Sequence, residues 1–247
     1  MKVKNTVVIT GANKGFGLEL VKAFLREGYS VIAGARTFDK LMPLKEEFAE
    51  SLTMEYIDLN DETSIDTFAS NIKSKHKVDV IINNAATSKG VGRIYELDSS
   101  DWSYVMQVNL LGHIKLINLL VPKLIEQRKG SIINIGSMGG KKPLNLLGSY
   151  CVSKAALHHY SLCLASELRD FQIRVNTVGI SANTDLYKEH AYQKAELGYT
   201  RTVERMKENS LPHPSESTDL ILFLASEKSK HITGQYIECQ SMNIPTW

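Results

Sequence analysis

The chain has 247 residues, 43% of them hydrophobic, enough to bury a full core, which excludes a largely disordered polypeptide. Its 29 basic and 27 acidic side chains leave a formal charge of +2, so no general attraction to nucleic acid or to an acidic membrane is expected. Cys151, Cys163 and Cys239 are scattered, odd in number and without metal-ligand spacing, which argues against a metal site or a disulfide framework and fits a reducing cytoplasm.

The first residues, MKVKNTVVIT, carry an apolar run too short for a signal peptide. Thr6–Thr10 is β-branched and stops at a glycine, which predicts a buried strand. Phe16–Arg26 reads as a helix with Phe16, Leu20 and Phe24 on one face and Gly28 closing it. The alternation then continues: strand Ser30–Arg36, helix Asp39–Glu50, strand Leu52–Leu59, helix Glu62–Lys75, strand Val78–Ala85, one long helix Ser99–Gln127. Strand Gly130–Ser137, helix Ser149–Phe171, strand Ile173–Ile180, helix Ser217–Glu227 and strand Tyr236–Gln240 complete it. The apolar stretch VNLLGHIKLINLLVP is interrupted by His113, Lys115 and Asn118, so a buried helix is expected and not a membrane span. Strands alternating with helices predict an α/β fold. The expected form is a single-domain, Rossmann-type, doubly wound parallel β-sheet flanked by helices on both faces, over residues 1–247. Residues 185–214 break the rhythm and are expected to form a substrate lid.

Gly11, Gly15 and Gly17 lie between the first strand and the first helix. Ligands of such sheets bind at the carboxyl ends of the strands, and a helix N-terminus offers free N–H groups that suit a pyrophosphate. A tight turn alone would also use glycines; their place in the first βα unit favours dinucleotide binding. The segment TGANKGFG resembles the cofactor signature of the short-chain dehydrogenases/reductases. The resemblance continues in order through IDL (Ile57–Leu59), NNAA (Asn83–Ala86), Asn109, Ser137, Tyr150 and Lys154 in YCVSK, RVN (Arg174–Asn176) and ITGQ (Ile232–Gln235). It covers nearly the whole chain. It implies cofactor contacts from Gly11, Asn13, Lys14, Gly15, Phe16 and Gly17, from Asp58 and Leu59, from Asn84 and Ala85, and from Thr184. Two departures stand out: Ile180-Ser181 replaces the usual Pro-Gly, and the usual terminal Asp-Gly-Gly is absent from YIECQSMN.

Tyr150 and Lys154 are four apart on a predicted helix and share a face. A nearby ammonium is expected to lower the phenol pKa from its ordinary value near ~10 and make Tyr150 a usable acid or base. The resemblance assigns Tyr150 that proton transfer, Lys154 a contact to the nicotinamide ribose, Ser137 the substrate oxygen and Asn109 a water on the proton path. The bland alternative for Asn109 is a polar residue that kinks a mostly apolar helix. Lys141 and Lys142 could border the pocket and favour an anion, or be a solvated pair; Tyr187, His190 and Tyr192 could touch substrate or pack the lid. The second strand ends at Ala35 and Arg36, where an acid would hold the adenosine ribose of NAD. With Lys14 on the glycine turn, Arg36 predicts a 2′-phosphate site and hence NADP(H). The expected protein is an oxidoreductase acting on a small-molecule carbonyl or alcohol, a homodimer or homotetramer, needing no metal. A non-catalytic NADP(H)-binding sensor or scaffold of the same fold is the alternative.

Overall fold

The computed structural model describes residues 5–87, 89–208 and 211–239. Seven parallel strands form one sheet in the order β3-β2-β1-β4-β5-β6-β7. They are β1 (Thr6–Thr10), β2 (Ser30–Ala35), β3 (Leu52–Tyr56), β4 (Val80–Asn83), β5 (Gly130–Gly136), β6 (Ile173–Ile180) and β7 (Tyr236–Cys239). The order reverses between β1 and β4, which opens a crevice at the carboxyl ends of those strands.

Alternation along the strands divides the core into two layers. Val7, Ile9, Val31 and Ala33 face one side, where α1 (Gly15–Arg26) contributes Leu20 and Phe24 and α9 (Thr218–Ala225) contributes Ile221 and Leu224. Val8, Ile32 and Ile81 face the other, where α3 (Glu62–Lys75) contributes Phe68 and Ile72, α5 (Gly112–Gln127) Leu116 and Leu120, and α6 (Gly148–Leu168) Leu164. α2 is the short helix Met42–Glu47. Asp61 starts α3 by accepting from the backbone N–H of Thr63 and Ser64, and Asp98 does the same for α4 (Ser99–Met106).

The long helix expected over Ser99–Gln127 is interrupted. Gln107–Leu111 forms a π turn between α4 and α5, with Asn109 at its centre. A π turn inserts one residue into the helical repeat, so the apolar stripe is re-aimed without ending the helix. Ser99–Gln127 is long and apolar enough to cross a membrane by length and composition. Here Leu116, Ile117 and Leu124 on it are fully buried against α3 and the sheet. The segment after β6 folds into α7 (Asp185–Glu196) and α8 (Arg201–Lys207). Thr184 caps α7, its hydroxyl accepting from the Tyr187 N–H at 3.1 Å. The expected continuation of β7 to Gln240, and the departure noted in SMN, lie outside the described residues.

Candidate active site

The carboxyl ends of the strands open into a cavity of about 950 Å³, roofed by α7 and α8. One end is built from backbone. Gly11 and Gly15 have φ of +66° and +54°, the left-handed region that favours glycine. A Cβ on Gly17 would lie 2.1 Å from the Gly11 carbonyl oxygen, so only glycine lets α1 start this close to β1. Asn84 stitches the turn to the end of β4: its amide donates to the Thr10 carbonyl at 2.9 Å and the Gly11 carbonyl at 3.3 Å. The N-terminus of α1 has no side-chain cap and no acid in its first turn, so its N–H groups are left for a ligand. These features fit a dinucleotide pyrophosphate. Gly11, Asn13, Lys14, Gly15, Phe16 and Gly17 all border this end, as do Arg36, Asp58, Leu59, Asn84, Ala85 and Thr184.

The two expected phosphate-binding cations are present but engaged. Lys14 Nζ lies 2.6 Å from Glu189 of α7, and Arg36 lies 4.0 Å from Asp58. The two cations are exposed and their acids partly so, and pairs this open to water are weak enough for a phosphate to compete for the cation. The acid Asp39 sits nearby but outside the cavity lining; Asn13 donates to it at 2.7 Å and to Thr37 at 2.8 Å. That bond is the main reason the Asp39 carboxyl is held below its ordinary pKa.

The middle of the cavity holds Ser137, Tyr150 and Lys154. Ser137 follows β5, its hydroxyl accepting from the Gly139 N–H at 3.1 Å and its carbonyl from the Tyr236 hydroxyl at 2.7 Å. Tyr150 and Lys154 project from α6, with the Lys154 ammonium 5.9 Å from the Tyr150 ring centre. The phenol pKa does not fall as expected. Burial pushes it up to about 12, and Ser137, hydrogen-bonding the phenol, pulls the other way. The physical reason is that Lys154 is itself buried and turned toward the Ile135 carbonyl at 2.8 Å; loss of water lowers its own pKa to about 8. At neutral pH Tyr150 therefore carries its proton.

Asn109 is fully buried and does not border the cavity. Its side-chain oxygen accepts from the Thr87 N–H at 2.9 Å and its amide donates to Ser153 at 3.1 Å. The π turn thus ties the loop after β4 to α6, three residues from Tyr150. Lys141 and Lys142 stay out of the cavity; Lys141 lies over the Tyr236 ring at 4.1 Å. Of the lid residues weighed from sequence, Tyr187 and His190 line the cavity, whereas Tyr192 is exposed. Lys194 and Arg205 also line it and were not singled out. Lys194 could have been found from its spacing of four from His190 on a helix marked by the Thr184-Asp185 start signal. Among the described residues no cluster of His, Cys, Asp or Glu could hold a metal.

A doubly wound parallel sheet with this glycine turn, and a buried Tyr–Lys pair bordering the same cavity, define a dinucleotide-binding class of α/β protein. The short chain dehydrogenase profile matches residues 5–194, and the chain belongs to that family of oxidoreductases. It is 30% identical over 173 residues to the NADP-dependent 3-hydroxy acid dehydrogenase of Salmonella typhi, covering 70% of each chain. It is 30% identical over 234 residues to the 3-oxoacyl-(acyl-carrier-protein) reductase of Thermotoga maritima, covering 93% of this chain and 94% of that one. L-sorbose reductase of Gluconobacter frateurii, solved with NADPH and L-sorbose, has the same fold, with a TM-score of 0.86 at 24% identity over 99% of this chain and 98% of that one.

Proposed function

We propose that this chain is an NADP(H)-dependent oxidoreductase that interconverts a ketone or aldehyde and an alcohol. The observation that carries this reading is the protonated phenol of Tyr150, held beside Ser137 in the cavity whose other end is the glycine turn. Bound NADPH would supply the hydride that reduces the carbonyl carbon. Tyr150 gives its proton to the carbonyl oxygen, and its raised pKa keeps that proton available at neutral pH. Ser137 donates a hydrogen bond to the same oxygen and stabilises the charge that develops there. Lys154 would hold the nicotinamide ribose, and its ammonium stabilises the phenolate once the proton has gone.

Lys14 and Arg36 would turn from Glu189 and Asp58 to a 2′-phosphate, which gives NADPH its advantage over NADH. The printed cofactor of the Salmonella relative and the NADPH in the sorbose reductase structure support this choice. α7 and α8 serve as the lid, closing over substrate and excluding water. Leu111, Val152 and Leu162, exposed on the π turn and α6, supply the apolar surface for a homodimer or homotetramer. The test is a panel of ketones and aldehydes with NADPH and with NADH, followed by reduced-cofactor absorbance. Oxidation of NADPH with at least one carbonyl is expected. Tight NADPH binding without turnover across the panel would favour the sensor or scaffold reading instead.

A further inference from the structure

His190 and Lys194 lie four residues apart on α7, so they share the helix face that roofs the cavity. His190 is 6% exposed, and its ring stands edge-on to Tyr150 with centroids 5.0 Å apart. Its Nε2 atom is buried with no hydrogen-bond partner among the described residues. A buried imidazole nitrogen left unpaired at the wall of a cavity, against the proton donor, is a group waiting for a ligand atom.

Lys194 stands one turn further along. It is half-buried, and loss of water lowers its pKa. The thiol of Cys151, the neighbour of Tyr150 in sequence, acts on it electrostatically. Each of the three carboxylates that line the cavity has a contact at the dinucleotide end. Asp58 is with Arg36, Glu189 is with Lys14, and Asp185 packs against Gly15 at the turn. Charge in the cavity is therefore segregated. The dinucleotide end balances its cations with acids; at the lid end over Tyr150 the carboxylate that acts on His190 is its neighbour Glu189, which is paired with Lys14, while the Lys194 ammonium stands near the Cys151 thiol. A half-buried ammonium facing a cavity is stabilised by an anion entering it.

We propose that His190 and Lys194 form an anion-recognition pair beside Tyr150, and that the substrate is a carbonyl compound bearing a carboxylate or a phosphate. Lys194 supplies the charge, and the His190 Nε2–H donates to the same group, fixing the carbonyl under the Tyr150 hydroxyl. Neutral ketones would leave both groups unpaired in the closed site. This assignment rests on the carbonyl-reduction reading for the identity of the reacting group, but the anion site itself can be read without turnover.

The experiment measures binding by calorimetry to the NADP⁺-loaded protein, using two matched pairs: acetoacetate with methyl acetoacetate, and dihydroxyacetone phosphate with dihydroxyacetone. The expected result is at least a tenfold lower Kd for the charged member of one pair. The pair that shows it distinguishes carboxylate from phosphate. Lys194→Gln is expected to erase that difference, Lys194→Arg to restore most of it, and His190→Phe, which keeps the ring against Tyr150, to reduce it severalfold. Equal Kd values within both pairs, absence of binding by all four, or a preference that survives Lys194→Gln overturns the proposal. Anion preference in binding with no NADPH oxidation would instead overturn the oxidoreductase reading and leave the anion site standing.

Discussion

At position 17 on the glycine-turn wall of the cavity, an added methyl group would sit 2.1 Å from the Gly11 carbonyl oxygen; at position 11 it would sit 2.8 Å from Ala85 Cα. Across the cavity, α7 presents Tyr192 to solvent and roofs the site with His190 and Lys194, side chains that a helix of the same backbone could replace. The first wall is specified by backbone approach, and the second by side-chain choice on a regular helix. A ligand common to many proteins calls for the first kind of wall. A ligand particular to one protein calls for the second, because side chains can change without moving the backbone.

The largest expected effect comes from breaking the rigid wall. Gly17→Ala forces α1 away from β1 against a backbone atom that cannot yield, so its cost belongs at or above the ~3 kcal/mol end of overpacking. Thermal unfolding and NADPH titration should both show the loss. Next come the buried imidazoles, one behind each wall. His113 reaches Thr10 at 3.3 Å behind the glycine turn, and burial lowers its pKa to about 3; His190 on the lid side is lowered to about 4. Both values lie below the unfolded value, so the unfolded chain takes up protons first as the pH falls. The stability these residues support is complete above about pH 6.5 and is lost progressively below it, until the folded values are reached. At pH 5 each histidine should have cost about 2 kcal/mol relative to pH 7. Denaturant melts from pH 7 to pH 5 should show that slope, and His113→Gln should remove about half of it.

A third test separates cofactor choice from the turn's packing. Lys14→Ala with Arg36→Asp should leave the unfolding midpoint nearly unchanged but reduce or reverse an NADPH preference expected on the order of a hundredfold, as two partly screened charged hydrogen bonds would supply. Equal kcat/KM for NADPH and NADH in the unmodified protein, at one moderate salt concentration, would remove the basis for it. The smallest effect should come from the lid's outer face. Tyr192→Ala is expected to stay within about 0.5 kcal/mol of the parent, as exposed substitutions do. A larger change in unfolding would mean that α7 is held as rigidly as the turn.

The same contrast explains what the sequence discloses. β1, the glycines and α1 are legible because a β-branched run, a turn needing positive φ and a helix face follow one another within twenty-one residues. Tyr150 and Lys154 are legible because helical spacing puts them together. Asn109 at a π turn is not, since one extra residue in a helical repeat is decided by what the helix packs against. The ion pair between Lys14 and Glu189 spans 175 positions and leaves no local trace. The direction of the Tyr150 pKa is hidden for a related reason. Spacing suggests a cation nearby, but burial and the turn of Lys154 toward Ile135 decide the sign.

The central claim, that Tyr150 is the proton donor in an NADPH-dependent carbonyl reduction, is tested most directly by replacing Tyr150 with phenylalanine. The measurement is kcat/KM for the best carbonyl substrate in the parent and in Tyr150→Phe, with NADPH affinity determined by fluorescence on the same preparations. The ring remains, so NADPH affinity should hold while kcat/KM falls at least about a hundredfold, the lower end for loss of a general acid. Turnover near the parent's, with NADPH bound equally well, would contradict the account.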